Sequence, residues 1–154
     1  MIFRKPIIVA GFAVVAFLAA AYFAMAGGDL SSATLVTGSG EHQIDVELAL
    51  TPKDREIGLM NRESMPAGQG MLFSFDPVRP VTMWMKNTLI PLDMLFLDDA
   101  GTVAHIKTNA QPLSLDLISS GGPVKYVLEL NGGAAARYGA RVGDRLKHEI
   151  IPAP

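Results

Sequence analysis

The sequence contains no cysteine, which excludes disulfides, thiolate metal sites and a cysteine nucleophile from this chain. It also lacks a large excess of charge of either sign, because 13 Lys and Arg side chains stand against 15 Asp and Glu, giving a formal net charge of −2. A nucleic-acid binder that relies on a strongly basic surface is therefore not expected. The 154 residues leave room for one ordinary domain.

Motifs for common enzyme and metal chemistry are also missing. The sequence has no nucleophile elbow, and its paired glycines lack the lysine and hydroxyl of a phosphate-binding loop. The three histidines, His42, His105 and His148, are far apart and show no ligand spacing. The sequence therefore predicts no metal site and no cofactor.

The N-terminus predicts an export signal, a membrane anchor, or both. Arg4 and Lys5 precede an uninterrupted apolar run over residues 7–26. A basic flank before an apolar stretch is the order of a secretory signal, and Ala24-Met25-Ala26 has the pattern of a signal-peptidase site. The run is also long enough to span a bilayer at ~1.5 Å per residue. We therefore expect a periplasmic or other extracytoplasmic protein, tethered to the inner membrane by residues 7–26 if they are not cleaved. That segment is the only predicted contact with a membrane.

The remaining chain predicts a short tether and first strand over residues 27–40, then one β-rich domain over residues 41–152. Alternating apolar residues and turn signals predict short strands. These lie at residues 42–50, 71–75, 81–85, 92–97, 102–107, 124–130 and 145–151. The expected fold class is mainly β (α+β): a compact antiparallel barrel or sandwich with two short helices, preceded by the N-terminal hydrophobic helix.

Both short helices have predicted boundaries. Thr51-Pro52-Lys53-Asp54 has the pattern of a capping box with proline at the first helical position, so we expect a helix over residues 52–60 that Gly58 helps to end. Asn131 is a candidate cap for a second helix over residues 133–138, which Gly139 would close.

The stretch around the only tryptophan carries the main candidate site. Alternation places Val81, Met83 and Met85 on an apolar face, and Thr82, Trp84 and Lys86 on the opposite, less buried face. An exposed aromatic beside a charge is a common combination on binding surfaces. We therefore predict a site for a small ligand or an envelope protein that includes Trp84, Lys86, Asn87 and Thr88. The alternative is a hairpin whose turn is capped by Asn87 and Thr88.

Four further charged residues are candidates for the same site: Asp93, Arg55, Arg62 and Glu129. Asp93 joins it only if a hairpin between residues 86 and 92 has the right register, and the sequence leaves that register open. Arg55 and Arg62 bracket the first helix, and either guanidinium could hold a carboxylate or phosphate; the alternative is ordinary surface arginine.

Six methionines within 35 residues raise a copper alternative, since thioethers bind Cu(I). They are Met60, Met65, Met71, Met83, Met85 and Met94. Core gap-filling is the more ordinary role for methionine. In addition, Met83 and Met85 are predicted on the face away from Trp84.

An ordered set of motifs resembles the family of small prokaryotic proteins called domain of unknown function 192. The motifs are Arg55-Glu56-Ile57-Gly58-Leu59-Met60-Asn61-Arg62, Gly70-Met71-Leu72-Phe73, Trp84-Met85-Lys86-Asn87-Thr88, Ile90-Pro91-Leu92-Asp93, Val127-Leu128-Glu129 and Gly143-Asp144. The resemblance covers about residues 44–151 and implies a compact β-rich fold, often exported. Val81-Thr82-Met83 departs from the family pattern, in which an aromatic residue often precedes the tryptophan. The resemblance implies no activity.

The sequence leaves two classes of function open. The favoured one is a non-catalytic binding or accessory domain of the cell envelope that uses the residues around Trp84. The alternative is a small envelope hydrolase with Asp93 and Glu129 as acid and base, which requires the two carboxyls to lie at a defined separation.

Overall fold

A computed structural model of the protein describes residues 29–153. The predicted N-terminal helix over residues 7–26 lies outside this range. Within residues 29–153, no helix has both the length and the apolar character needed to cross a bilayer.

The described residues form seven strands and two short helices, in agreement with the predicted mainly β class. The strands are β1 (Ser31–Thr37), β2 (Gly40–Ala49), β3 (Gln69–Met83), β4 (Leu92–Leu97), β5 (Val103–Ala110), β6 (Ile118–Asn131) and β7 (Arg145–Lys147). The helices are α1 (Pro52–Ile57), between β2 and β3, and α2 (Ala134–Tyr138), between β6 and β7.

The strands make one curled sheet, a half-barrel with the order β5-β4-β6-β3-β2-β1-β7. Its two ends meet where Thr102 bridges Arg145 and the amide of Leu146 donates to the carbonyl of Gly101. The expectation of a purely antiparallel sheet is wrong at one place, because β2 and β3 are parallel. The connection through α1 returns the chain to the same end of the sheet, as a parallel pair requires.

Several boundaries differ from the sequence prediction for local reasons. The segments expected as separate strands at residues 71–75 and 81–85 form the single strand β3, which carries a register shift between Ser74 and Arg79. The last strand ends at Lys147 rather than continuing to residue 151. The capping box of α1 is present between Thr51 and Asp54, but the helix ends at Ile57 because Gly58 leaves helical geometry with φ 48°.

The predicted hairpin between residues 86 and 92 is absent. Strand β6 lies between β3 and β4, so the segments on either side of residues 86–92 do not pair with each other. The register on which the placement of Asp93 depended is therefore set by β6, where Asp93 lies opposite Leu130 and Met94 lies opposite Glu129.

The sheet buries apolar side chains on both faces, which gives two cores. The helix-side core packs α2 against the sheet and includes Leu72, Leu95, Leu128 and Ala135. The loop-side core lies under residues 58–65 and 84–90 and includes Phe73, Met85, Met94 and Val127. Adjacent residues of one strand, such as Leu72 and Phe73, enter different cores because strand side chains alternate between faces. The candidate site lies on the loop side.

Candidate functional site

Glu129 is a buried carboxyl on the loop-side face of β6. It lies opposite Met71 of β3 and Met94 of β4, and the residue is only 4% exposed. Burial raises the pKa of Glu129 from 4.5 to about 8. No opposite charge counteracts that effect. At neutral pH this side chain is therefore mostly an uncharged carboxylic acid.

The Glu129 carboxyl opens into a small surface depression. No donor in the described part of the chain hydrogen-bonds to the Glu129 carboxyl. Every side-chain nitrogen or oxygen of residues 29–153 that is fully inaccessible to solvent does have a hydrogen-bond partner. An oxygen of Glu129 must therefore reach the surface. It does so in the Trp84 depression, which we define as the space lined by Glu129, residues 55–60, Phe73, Met83, Trp84, Lys86 and Thr88. Its volume is about 30 Å³, comparable to one water molecule.

Trp84 and Lys86 form one rim of this depression. Val81 and Met85 are buried, as the alternation predicts, whereas the indole of Trp84 is 43% exposed. The ammonium of Lys86 lies 5.0 Å from the centroid of the indole ring, which is a cation–π distance. The rim therefore presents apolar aromatic surface next to a hydrogen-bond donor.

Asn87 and Thr88 mainly support the turn that presents the rim. The amide of Thr88 donates to the carbonyl of Met85, and Asn87 adopts φ 54°, which asparagine tolerates better than most residues. The Asn87 carbonyl accepts a hydrogen bond from the amide of Asn61, tying the turn to the segment after α1. The hydroxyl of Thr88 donates to the carbonyl of Lys86 at 3.2 Å. Of the two residues, only Thr88 lines the depression.

Arg55 lines the depression but its guanidinium is already bonded elsewhere. It donates to the carbonyls of Leu50 and Ser74 and lies 5.4 Å from the ring centroid of Phe75. These contacts hold α1 against the edge of the loop-side core. We therefore assign Arg55 a positioning role in the wall.

Arg62 lies outside the depression and forms an ion pair with Glu47 of β2. Its two terminal nitrogens donate to the two carboxylate oxygens, at 2.5 and 2.7 Å. Hydrogen bonding to Glu47 raises the pKa of Arg62. This bidentate pair ties the segment after α1 to the sheet, so the guanidinium is not free for a ligand.

Asp93 lies on the opposite face from Trp84 and has a structural role. It is fully buried, and its two oxygens accept hydrogen bonds from the amides of Asn109 and Ala135, both at 2.8 Å. Asp93 thereby satisfies an amide in the first turn of α2, the role that the sequence suggested for Asn131. The side-chain nitrogen Nδ2 of Asn131 instead donates to the backbone carbonyls of Met65 and Pro66.

The acid–base pair of the hydrolase hypothesis is therefore not formed. Asp93 points into the helix-side core, whereas Glu129 points to the loop side. The sheet separates the two carboxyls, so they cannot act on one glycosidic bond.

The methionines of the copper hypothesis are used mainly in packing. Met65, Met71, Met85 and Met94 are buried in the loop-side core. The sulfur of Met60 accepts a weak hydrogen bond from Asn87 at 3.8 Å. No group of three or more His, Cys, Asp or Glu side chains suited to a metal occurs within residues 29–153.

Two serine–histidine contacts occur within residues 29–153. Ser39 and His42, which are three residues apart in sequence, lie 2.9 Å apart at the turn between β1 and β2. The other contact, between distant parts of the sequence, joins Ser31 and His148 at 2.8 Å. The Nδ1 atom of His148 accepts a hydrogen bond from the amide of Ile150, so its Nε2 carries the proton and donates to Ser31. This is the wrong tautomer for a base acting on that serine. Burial also lowers the pKa of His148. The Ser31–His148 contact is better explained as a structural hydrogen bond between the start of β1 and the residue after β7.

Comparisons with known proteins agree with the fold and supply no activity. The family model DUF192, described as Uncharacterized ACR, matches residues 34–148. A crystal structure from Sinorhizobium meliloti 1021, named as a candidate transcription regulator, is 50% identical, with 79% of this chain and 95% of that chain covered and a TM-score of 0.76. The crystal structure of a Novosphingobium aromaticivorans DSM 12444 protein of unknown function is 37% identical, with 80% of this chain and 89% of that chain covered and a TM-score of 0.78. No curated protein matches the chain. This protein belongs to the DUF192 family.

Proposed function

We propose that this protein is an exported, non-catalytic binding domain of the cell envelope that holds a small ligand or a partner protein at the Trp84 depression. The observation that carries the proposal is an unpartnered, nearly buried carboxyl, Glu129, that opens beneath an exposed indole. Burying an unpaired polar group reduces stability, and such exceptions concentrate at functional sites. Exposed aromatic surface beside a cation adds the usual composition of a binding surface.

Export is supported by the sequence before the domain. The basic flank at Arg4 and Lys5 and the apolar run over residues 7–26 have the order of a secretory signal or an N-terminal anchor. Only residues 27–30 separate that run from Ser31, the first residue of β1. An uncleaved anchor would therefore hold the domain close to the membrane surface.

DNA binding, which the name of the Sinorhizobium protein suggests, has no electrostatic support in this chain. Without Arg4 and Lys5, 11 basic side chains remain against 15 acidic ones, so residues 29–153 carry a net charge of −4. DNA binders neutralise phosphates with clustered Lys and Arg, whereas the phosphates repel a domain with a net negative charge.

Export can be tested with alkaline phosphatase fused to the C-terminus of the full chain. The enzyme becomes active only where its disulfides form, which is outside the cytoplasm. We expect activity from the full-length fusion and loss of activity when residues 1–26 are deleted. Equal activity of the two fusions, or activity from neither at matched expression, would contradict export.

Binding can be tested by pull-down from the envelope fraction with the full chain and matched variants. We expect Trp84→Ala and Lys86→Ala to fold normally and lose a partner or ligand that the unaltered chain retains. The control variants Val142→Ala and Arg141→Ala also remove an exposed apolar and an exposed cationic side chain, but from a loop that does not line the depression. If all four variants behave alike, the Trp84 surface is structural.

A further inference from the structure

Resting on this proposed function, we infer that the ligand of the Trp84 depression is an uncharged carbohydrate: one sugar ring lies against the indole, and one of its hydroxyls enters the depression to meet Glu129.

The floor requires a group that both donates and accepts a hydrogen bond. At neutral pH Glu129 is mostly protonated, so its carboxyl offers one O–H donor and a carbonyl acceptor. An alcohol hydroxyl also donates one hydrogen bond and accepts others, so it can satisfy both parts of the acid. Thr88, which lines the depression, has its hydroxyl committed to the carbonyl of Lys86 and does not fill this role.

The floor is unfavourable for charge of either sign. Desolvation is the only cause that raises the pKa of Glu129, so no charged group lies close enough to compensate a charge placed there. An ammonium group that enters the depression would also pass two cationic side chains of its lining, Arg55 and Lys86, which do not contribute to the pKa of Glu129. A carboxylate or phosphate would lose its hydration next to an apolar wall that includes Phe73.

The charged groups around Glu129 are few and come from each element that packs against it. From α1 and the rim, they are Arg55, Glu56 and Lys86. Along the sheet on the same face, Met71 separates Glu129 from the Glu47–Arg62 pair, and Met94 separates it from Lys107. None of these groups contributes to the pKa shift of Glu129, so a pH effect on binding near pH 8 would report the Glu129 carboxyl.

The size of the depression fits one functional group and not a whole ligand. About 30 Å³ holds a water or a hydroxyl, whereas pockets that enclose entire small molecules are roughly ten times larger or more. The rest of the ligand must therefore lie outside, on the rim. The rim offers indole surface, which suits the apolar C–H face of a sugar ring, and the Lys86 ammonium, which can donate to a second hydroxyl.

The chain contains one tryptophan, which makes Trp84 fluorescence a direct reporter of this site. The purified full chain is titrated with cellotetraose, maltotetraose and tetra-N-acetylchitotetraose, and separately with butylamine and acetate as charged probes. We expect a saturable change in emission with at least one oligosaccharide and none with the charged probes at the same concentrations.

Variants of Glu129 identify the group at the floor. Glu129→Gln keeps a neutral donor and acceptor and should bind within about threefold of the unaltered chain, whereas Glu129→Leu should lose at least about tenfold. Between pH 7 and pH 9 the protonated fraction of a group with a pKa of about 8 falls about tenfold. The affinity of the unaltered chain should fall to the same extent, and that of Glu129→Gln should stay constant. Thermal unfolding confirms that both variants fold.

The outcomes separate this inference from the proposed function. Saturable binding of butylamine or acetate, with no oligosaccharide response, overturns the carbohydrate inference and leaves a binding site at Trp84. Oligosaccharide binding that Glu129→Leu does not weaken also overturns it, because the floor then plays no part. No response to any probe overturns the inference, and the proposed function also fails if the envelope pull-down shows no effect of Trp84→Ala.

Discussion

Two buried carboxyls lie on neighbouring strands of one sheet, yet their surroundings differ in every respect. Asp93 of β4 lies on the helix-side face, and Glu129 of β6 lies opposite the next residue of β4, on the loop-side face. Asp93 accepts two backbone hydrogen bonds and is sealed. Glu129 has no donor among residues 29–153 and opens to the surface. Burial is therefore common to both carboxyls, and the number of hydrogen bonds that they accept distinguishes them. Our proposal assigns a binding role to Glu129, the one without a donor.

The difference also shows what each carboxyl contributes to stability. Asp93 connects three elements, because it belongs to β4 and binds amides of Asn109 in β5 and Ala135 in α2. Glu129 makes no side-chain hydrogen bond to another element within residues 29–153. Its raised pKa keeps it mostly uncharged at neutral pH, where a solvent-exposed carboxyl is ionised. A buried polar side chain without a partner lowers stability, and such residues concentrate at functional sites.

The largest expected effect comes from breaking the Asp93 contacts. Asp93→Ala leaves the buried amide of Ala135 and the part-buried amide of Asn109 without acceptors. A buried unsatisfied group costs about 1–3 kcal/mol, so we expect a loss of about 2–4 kcal/mol in the free energy of unfolding. Urea unfolding monitored by circular dichroism measures it. Asp93→Asn, which retains one acceptor oxygen, should lose less. A loss below about 1 kcal/mol for Asp93→Ala would contradict the structural role.

The opposite sign is expected at Glu129. Its pKa is raised from 4.5 to about 8 in the folded chain, so the unfolded state ionises first and folding stability falls as the pH rises from about 4.5 to about 8. Below about pH 4.5 both states are protonated and the penalty is absent. Glu129→Gln removes the penalty and should therefore stabilise the protein by about 1–3 kcal/mol at pH 7.

Unfolding curves of Glu129→Gln at pH 4 and pH 7 test this sign. The gain should be near zero at pH 4 and large at pH 7, while oligosaccharide binding at pH 7 is retained. The same gain at both pH values would show that packing, and not ionisation of Glu129, is responsible.

Features that depend on short stretches of sequence could be predicted. The bounds of β4 match the predicted strand over residues 92–97, and the capping box joins Thr51 to Asp54 as its spacing indicates. Alternation of residues 81–86 placed Val81 and Met85 inside and Trp84 outside. Each of these depends on neighbours in the chain, where periodicity and capping chemistry determine the result.

Features that depend on which strands pair could not be predicted. Strand β6 enters between β3 and β4, so no hairpin joins them, and this placement sends Asp93 and Glu129 to opposite faces. Nothing local to Asp93 marks it as the partner of an amide at residue 135. The sequence named Glu129 as a candidate, but its lack of a donor and its proximity to Trp84 follow only from the register across three strands.

The smallest effect concerns Glu47, a third carboxyl, on the same face as Glu129 but with a partner. Glu47 lies opposite Met71, which in turn lies opposite Glu129, and it holds Arg62 in a bidentate pair. The two side chains are 12% and 28% exposed. Arg62→Met keeps most of the apolar stem but leaves Glu47 unpaired, so we expect a loss of about 1–2 kcal/mol, more than an exposed pair contributes.

The exposed pair of Lys147 and Glu41 provides the matched control, since both of its side chains are more than half exposed. Lys147→Met should change the free energy of unfolding by less than about 0.5 kcal/mol, because solvent screens such a pair. Urea unfolding of the two variants at pH 7 and low salt makes the measurement. Equal losses would mean that Arg62 contributes no more than a surface residue. A larger loss for Arg62→Met, with weaker oligosaccharide binding, would show that this pair fixes the segment that lines the Trp84 depression.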